Sequence, residues 1–153
     1  MAYRGQSISE HIANSKIAEE ACENAAVKID HQVVVFDAVD LAAESAFWAG
    51  VLGGTVDVDD DWHMVVVGGE PRVGVQLAPN HIPPDWPVGT PAQQIHLDLW
   101  VDHIEEAHNE VMSLGARLLK AAEGNDEPDA FQVYADPAGH PFCLCWIKPA
   151  DNS

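Results

Sequence analysis

A chain of 153 residues, 47% of them hydrophobic, suits one domain with a real core and is too short for two domains that each keep a separate interior. A formal charge of −18, with seven Lys and Arg against 25 Asp and Glu, argues against nucleic acid and against anionic membrane surfaces as partners. No apolar run approaches the roughly 20 residues of a bilayer span, and the opening MAYRGQSISEHIANSK lacks the apolar segment of a secretory signal, so a cytoplasmic protein is expected.

Residues 1–27 are polar and Ala-rich, with Ser9 and Glu10 placed to open a helix through IANSKIAEEACENAA. The apolar stripe there is thin, which predicts an N-terminal arm, helical or mobile. His31 to Asp37 (HQVVVFD) has the β-branched richness of a buried strand. Asp40 is placed to cap a helix over Leu41–Leu52, in which Leu41, Phe47, Trp48, Val51 and Leu52 make a broad apolar face, and Gly53–Gly54 ends it. Three short strands follow, at Thr55–Val58, Trp62–Val67 and Val73–Ala78, with Gly68–Gly69 turning between the last two. Asp57, Asp59, Asp60 and Asp61 share the composition of a calcium loop but not its spacing or closing Glu, and read as a solvated turn.

Residues 79–93 (PNHIPPDWPVGTPAQ) hold five prolines and cannot be regular structure. The pattern then restarts. Ile95 to Val101 alternates as a strand, Asp102 is placed to cap a helix over His103–Leu114, and Gly115 stops it. His103, His108 and the acids of IEEAHNE read as its solvated face. Arg117 to Ala121 extends again, the acidic loop EGNDEPD follows, and strands Phe131–Ala135 and Pro141–Ile147 flank a tight turn, Asp136-Pro137-Ala138-Gly139. Of three cysteines, Cys22 stands apart, while Cys143 and Cys145 share a strand face without being placed to bridge, which fits reduced thiols.

Asp40 matches Asp102 and Gly53 matches Gly115 at one offset, 62 residues. Strand, cap, helix, Leu-Gly stop and strand thus occur twice, as two copies of one unit sharing a core. The domain is drawn at 28–150, with module one over about 28–79, a linker over 80–93 and module two over 94–148.

In this order and spacing, VDLAAESAFWAGVLGG, the WP of IPPDWP, IHLDLWVDHIEEAHNEVMSLGARL and DPAGHPFCLCW resemble the vicinal oxygen chelate (glyoxalase/bleomycin-resistance/dioxygenase) superfamily, in its glyoxalase-like branch. The resemblance spans Asp30 to about Lys148. It implies an α+β fold in which two βαβββ modules curl into half-barrels, concave faces that enclose a small-molecule cavity, and a homodimer. In metal-using relatives four side chains hold a divalent cation with open positions for substrate oxygens. Carried onto this chain, the positions are His96, Gln76, Cys143 and either Val33, by distance from the helix, or Val34, by the rigid offset. That set predicts no metal and no cofactor. A divalent metal on nonstandard ligands, with His31 or His63 joining His96 and Cys143, is the disfavoured alternative.

His96, Asp98 and Trp100 fall on one face of their strand, so His96 and Asp98 could form a general acid–base pair, or simply a structural hydrogen bond. Trp62, Trp86 and Trp100 could wall a pocket or pack the core, with Trp86 placed in the loop to cover a cavity mouth. Cys143 as a nucleophile would need a lowered pKa; otherwise it is a small buried hydrophobe. The function expected is a small-molecule binding protein or metal-independent enzyme, its cavity lined by Gln76, Trp100, Cys143, Trp62 and Trp86 around His96 and Asp98. The alternatives are a metal-dependent lyase, isomerase or dioxygenase, and a dimeric scaffold with a vestigial cavity.

Overall fold

In the computed structural model, which describes residue 27, residues 29–124 and residues 128–148, the valine-rich run before Asp37 forms β1 (Val34–Ala38). Then come α1 (Leu41–Leu52), β2 (Thr55–Val58), β3 (Trp62–Val67) and β4 (Glu70–Leu77). The second half repeats this order with β5 (Leu97–Trp100), α2 (Ile104–Leu114), β6 (Arg117–Lys120), β7 (Asp129–Ala135) and β8 (Pro141–Ile147). The chain divides between Gln32 and Val33 into two compact units, and the second carries the ten elements named above. The arm expected over residues 1–27 lies, Val27 apart, outside the described residues. None of the helices among the described residues is long and apolar enough to cross a membrane.

Each module is one four-stranded sheet, in the orders β1-β4-β3-β2 and β5-β8-β7-β6, so the two βαβββ units are real. The first strand of each runs parallel to its last and the others pair antiparallel. Strand alternation gives each sheet two faces. Phe36, Val65, Val73 and Val75 of the first sheet and Tyr134, Phe142 and Leu144 of the second join α1 in one buried core. Phe142 meets the rings of Phe47 and Trp48 at 5.7 and 5.5 Å, so α1 packs on both modules. Helix also meets helix: a Cβ on Gly50 of α1 would lie 2.6 Å from Leu114 Cδ2 of α2. The opposite face of each sheet looks away from this core.

Several boundaries differ from the sequence expectation for local reasons. β1 begins at Val34 rather than His31, and His31 is exposed. β4 begins at Glu70 rather than Val73, because the Gly68–Gly69 turn pairs Val67 directly with Glu70. Pro71 then faces Val66 where the register shifts, a place that tolerates a missing N–H. Asp40 caps α1 as expected, accepting from Ala43 N at 2.9 Å. Asp102 does not cap α2: the N-cap is His103, with no side-chain bond. The second helix has 11 residues and the first 12, so the offset of 62 at the helix ends becomes 63 at their starts, and Asp102 falls one residue early. Nor is His108 on a solvated face; its Nδ1 lies 2.8 Å from the buried Tyr134 hydroxyl.

Candidate functional site

β5 alternates Leu97 and Leu99, which pack on the core, with Asp98 and Trp100, which do not. His96 precedes the strand and shares the outer face. Its Nε2 lies 3.3 Å from Asp98 Oδ1, with the two side chains 24% and 50% exposed. Gln93 Nε2 sits 2.9 Å from His96 Nδ1. With the amide N–H donating there, the proton of a neutral imidazole stands on Nε2 and faces the carboxylate. The pair is thus oriented from both sides and open to solvent on the Asp98 side.

The parallel register sets Asp98 beside Cys143 and Trp100 beside Cys145, while β7 places Val133 and Phe131 on the far side of those cysteines. Two rows therefore cross the outer face of the second sheet: Asp98, Cys143, Val133 and Trp100, Cys145, Phe131. Trp100 is 47% and Phe131 46% exposed, whereas both thiols are buried. Trp86, from the proline-rich loop, lies over Val133, Cys143 and Cys145 and so covers part of this face. Burial, reinforced by the negative charge of Asp98, pushes the Cys143 thiol up to about 12. That suits the small buried hydrophobe and not an activated nucleophile.

Gln76 and Trp62 are placed on the outer face of the other sheet. There Asp37, Gln76 and Trp62 form one row across β1, β4 and β3, next to the row Val35, Gly74, Met64. The Trp62 ring lies across Gly74, where an added Cβ would come within 2.5 Å of it. His63 turns inward instead, buried, with its Nδ1 2.8 Å from Ser45 Oγ.

The relation between the helix starts also decides which valine answers to His96. Val34 packs on the core, leaving Val33 as its counterpart. A four-residue metal set of the kind found in metal-using relatives does not fit these residues. Val33 has no donor atom and Gln76 offers only an amide, which leaves His96 and Cys143 as the donors of that set. A different trio is brought together, with donor atoms of His96, Asp98 and Cys143 all within 4.8 Å of one another.

A second polar cluster was not read from the sequence. Glu44, one turn before Trp48 on the apolar face of α1, is fully buried. Its Oε1 accepts from Trp48 Nε1 and its Oε2 from Ala138 N, both at 2.9 Å. Asp136, also buried, accepts from His140 N at 2.7 Å and from Trp48 Nε1 at 3.3 Å. Burial, then the hydrogen bond and charge of Asp136, push the Glu44 carboxyl up to about 9, against the Trp48 and Ala138 donors. Its helical position was the available signal: an acid three and four residues before Phe47 and Trp48 shares their buried face and must find partners.

Comparison with known proteins agrees with this architecture. The chain is similar to a glyoxalase/bleomycin resistance protein/dioxygenase family enzyme from Burkholderia phytofirmans PsJN, with a TM-score of 0.59 and 17% identity over 76% of this chain and 97% of that one. It is also similar to the fosfomycin resistance protein FosX from Listeria monocytogenes, with a TM-score of 0.60 and 11% identity over 80% and 96%. A glyoxalase-related enzyme from Fulvimarina pelagi gives 0.56 and 17% over 82% and 96%. At such identities these likenesses speak for the fold alone. No curated protein matches the chain in sequence. The profile of the Glyoxalase-like domain family matches residues 33–145, more than half of the chain, and the protein belongs to that family.

Proposed function

We propose that this protein binds a small carbonyl-containing molecule on the outer face of its second sheet and acts there as a metal-independent enzyme. The observation that carries the reading is the His96–Asp98 pair, 3.3 Å apart and turned away from the core beside the half-exposed Trp100. An imidazole held against a carboxylate can exchange a proton with a bound carbonyl compound or its enol at ordinary pH. Asp98 meets solvent, and His96 Nε2–H steadies it. Trp100 and Phe131 offer flat apolar surface on which the ligand rests. The test is deuterium exchange from heavy water into a panel of small ketones and aldehydes, followed by mass spectrometry. Exchange is expected with wild type and lost with His96→Ala and Asp98→Asn. A panel that neither binds nor exchanges with wild type would sink the reading.

A second reading, a metal-dependent enzyme with nonstandard ligands, draws on the donor atoms of His96, Asp98 and Cys143 lying within 4.8 Å. Metal content of the untagged protein beside a His96→Ala control separates the two. In either reading the protein is a homodimer. Exposed Val35, Trp100 and Phe131 on the outer faces, and the unpaired edges of β1 and β5, are what a second copy would cover. Sedimentation equilibrium at micromolar concentration tests this, and a monomer there would refute it.

A further inference from the structure

The buried cluster of Glu44, Asp136 and His140 takes no part in the site on the outer face of the second sheet, and it joins the two modules. Glu44 belongs to α1, while Asp136 and His140 bracket the turn between β7 and β8. We propose that these three side chains form a binding site for one divalent cation, zinc by its donor chemistry, which ties α1 of the first module to the 136–140 turn of the second.

The geometry suits such an ion. One donor atom from each residue lies within 4.8 Å of the other two. His140 Nδ1 is 3.4 Å from Asp136 Oδ1 and 3.8 Å from Glu44 Oε1. Around a tetrahedral zinc with ligands at about 2.0–2.2 Å, neighbouring donors stand roughly 3.3–3.6 Å apart. The observed gaps are close to that spacing. His140 Nδ1 is itself a buried atom with no hydrogen-bond partner, so the protein leaves one nitrogen unsatisfied beside two buried carboxyl groups. An ion at their centre would satisfy all three.

The surrounding bonds hold the donors for that role. Each carboxyl oxygen accepts one N–H, from Trp48, Ala138 or His140, and the proton that Glu44 shares with Asp136 is what a cation would replace. Such outer contacts orient ligands around a metal. One imidazole and two carboxylates are borderline-to-hard donors of the types zinc takes, and three of them leave room for a further ligand. The ring of His81 stacks on His140 at 4.7 Å, and His81 Nε2 lies 3.0 Å from Ala138 O. A cleft of about 190 Å³, lined by Asp40, His81, Pro137 and Ala138 among others, lies beside the same turn.

The experiment uses the full, untagged chain, stripped with a chelator, reloaded with zinc and passed through a desalting column. Elemental analysis should find about one zinc per chain, and the melting temperature should rise on loading. His140→Ala should keep the fold by circular dichroism and bind zinc at least about 100-fold more weakly, at the upper end of what loss of an outer contact costs. His96→Ala should retain the ion with its affinity unchanged. Should His140→Ala fail to fold, His140→Gln takes its place. Wild type without zinc, undiminished zinc in the His140 variant, or loss of zinc in His96→Ala would each overturn the assignment, the last by moving the ion to the other cluster.

Discussion

Glu44 Oε2, in the first module, accepts the backbone N–H of Ala138, in the second, at 2.9 Å. The same carboxyl receives Trp48 Nε1 on its other oxygen, so one buried acid satisfies donors from opposite halves of the chain. Glu44→Ala would leave the Ala138 N–H without its acceptor and the Trp48 Nε1–H with only its longer bond to Asp136, at 3.3 Å, beside the space the side chain had filled. An orphaned buried donor costs about 1–3 kcal/mol, so urea unfolding at neutral pH should show a loss of roughly 2–5 kcal/mol. A loss below about 1 kcal/mol would mean that water or a neighbouring group replaces the carboxyl.

The two helix caps make a matched comparison. Asp40→Ala removes the acceptor of Ala43 N–H and should cost about 0.5–2 kcal/mol. Asp102→Ala removes a side chain that caps nothing, since α2 starts from His103, and should stay within about 0.5 kcal/mol. Equal losses in chemical unfolding would show that Asp102 supports α2 in a way the hydrogen bonds do not reveal.

That contrast also marks what was legible in the sequence. α1, β2, β3 and β8 fall at the expected residues because caps, glycine stops and strand alternation are local signals. The shared outer face of His96, Asp98 and Trp100 was legible for the same reason, since it follows from a period of two. The grouping of Gln76 and Trp62 with them has no such basis. Those residues lie on the other sheet, and how two sheets pack across a pair of helices leaves no trace in the period of either strand. The Glu44 cluster was hidden for a related reason: Glu44 and Ala138 are 94 positions apart. What the sequence did show was an acid on an apolar helix face, a demand for partners without their names.

Tyr134 provides a pH test that is independent of either cluster. Burial pushes its phenol up to about 12, and its hydroxyl lies 2.8 Å from His108 Nδ1. Below the ordinary phenol value of about 10, folded and unfolded chains both keep the proton and the group adds no pH dependence. Between about 10 and 12 the unfolded chain ionises and the folded one does not, so stability falls as pH rises through that window. An ultraviolet titration should show Tyr134 ionising late, or only as the protein unfolds. Tyr134→Phe should flatten the stability profile over the same window. Ionisation of Tyr134 near pH 10 in the folded protein would contradict its burial.

Cys143 and Cys145 test the candidate site itself. Burial and the negative charge of Asp98 push both thiols up to about 12, so at pH 8 each is almost wholly protonated. In a Cys22→Ser background, alkylation of the folded protein at pH 8 should be at least about 100-fold slower than that of the unfolded chain, because the thiolate is the reacting species. Asp98→Asn removes the charge that opposes ionisation, so it should lower the thiol pKa and speed the reaction. Trp86→Ala should also speed it, by uncovering the same atoms, and because burial is the larger cause of the raised thiol pKa it should also lower the pH at which the rate rises. A pH profile that does not move in Asp98→Asn would show that burial alone, without the charge of Asp98, holds the thiols protonated.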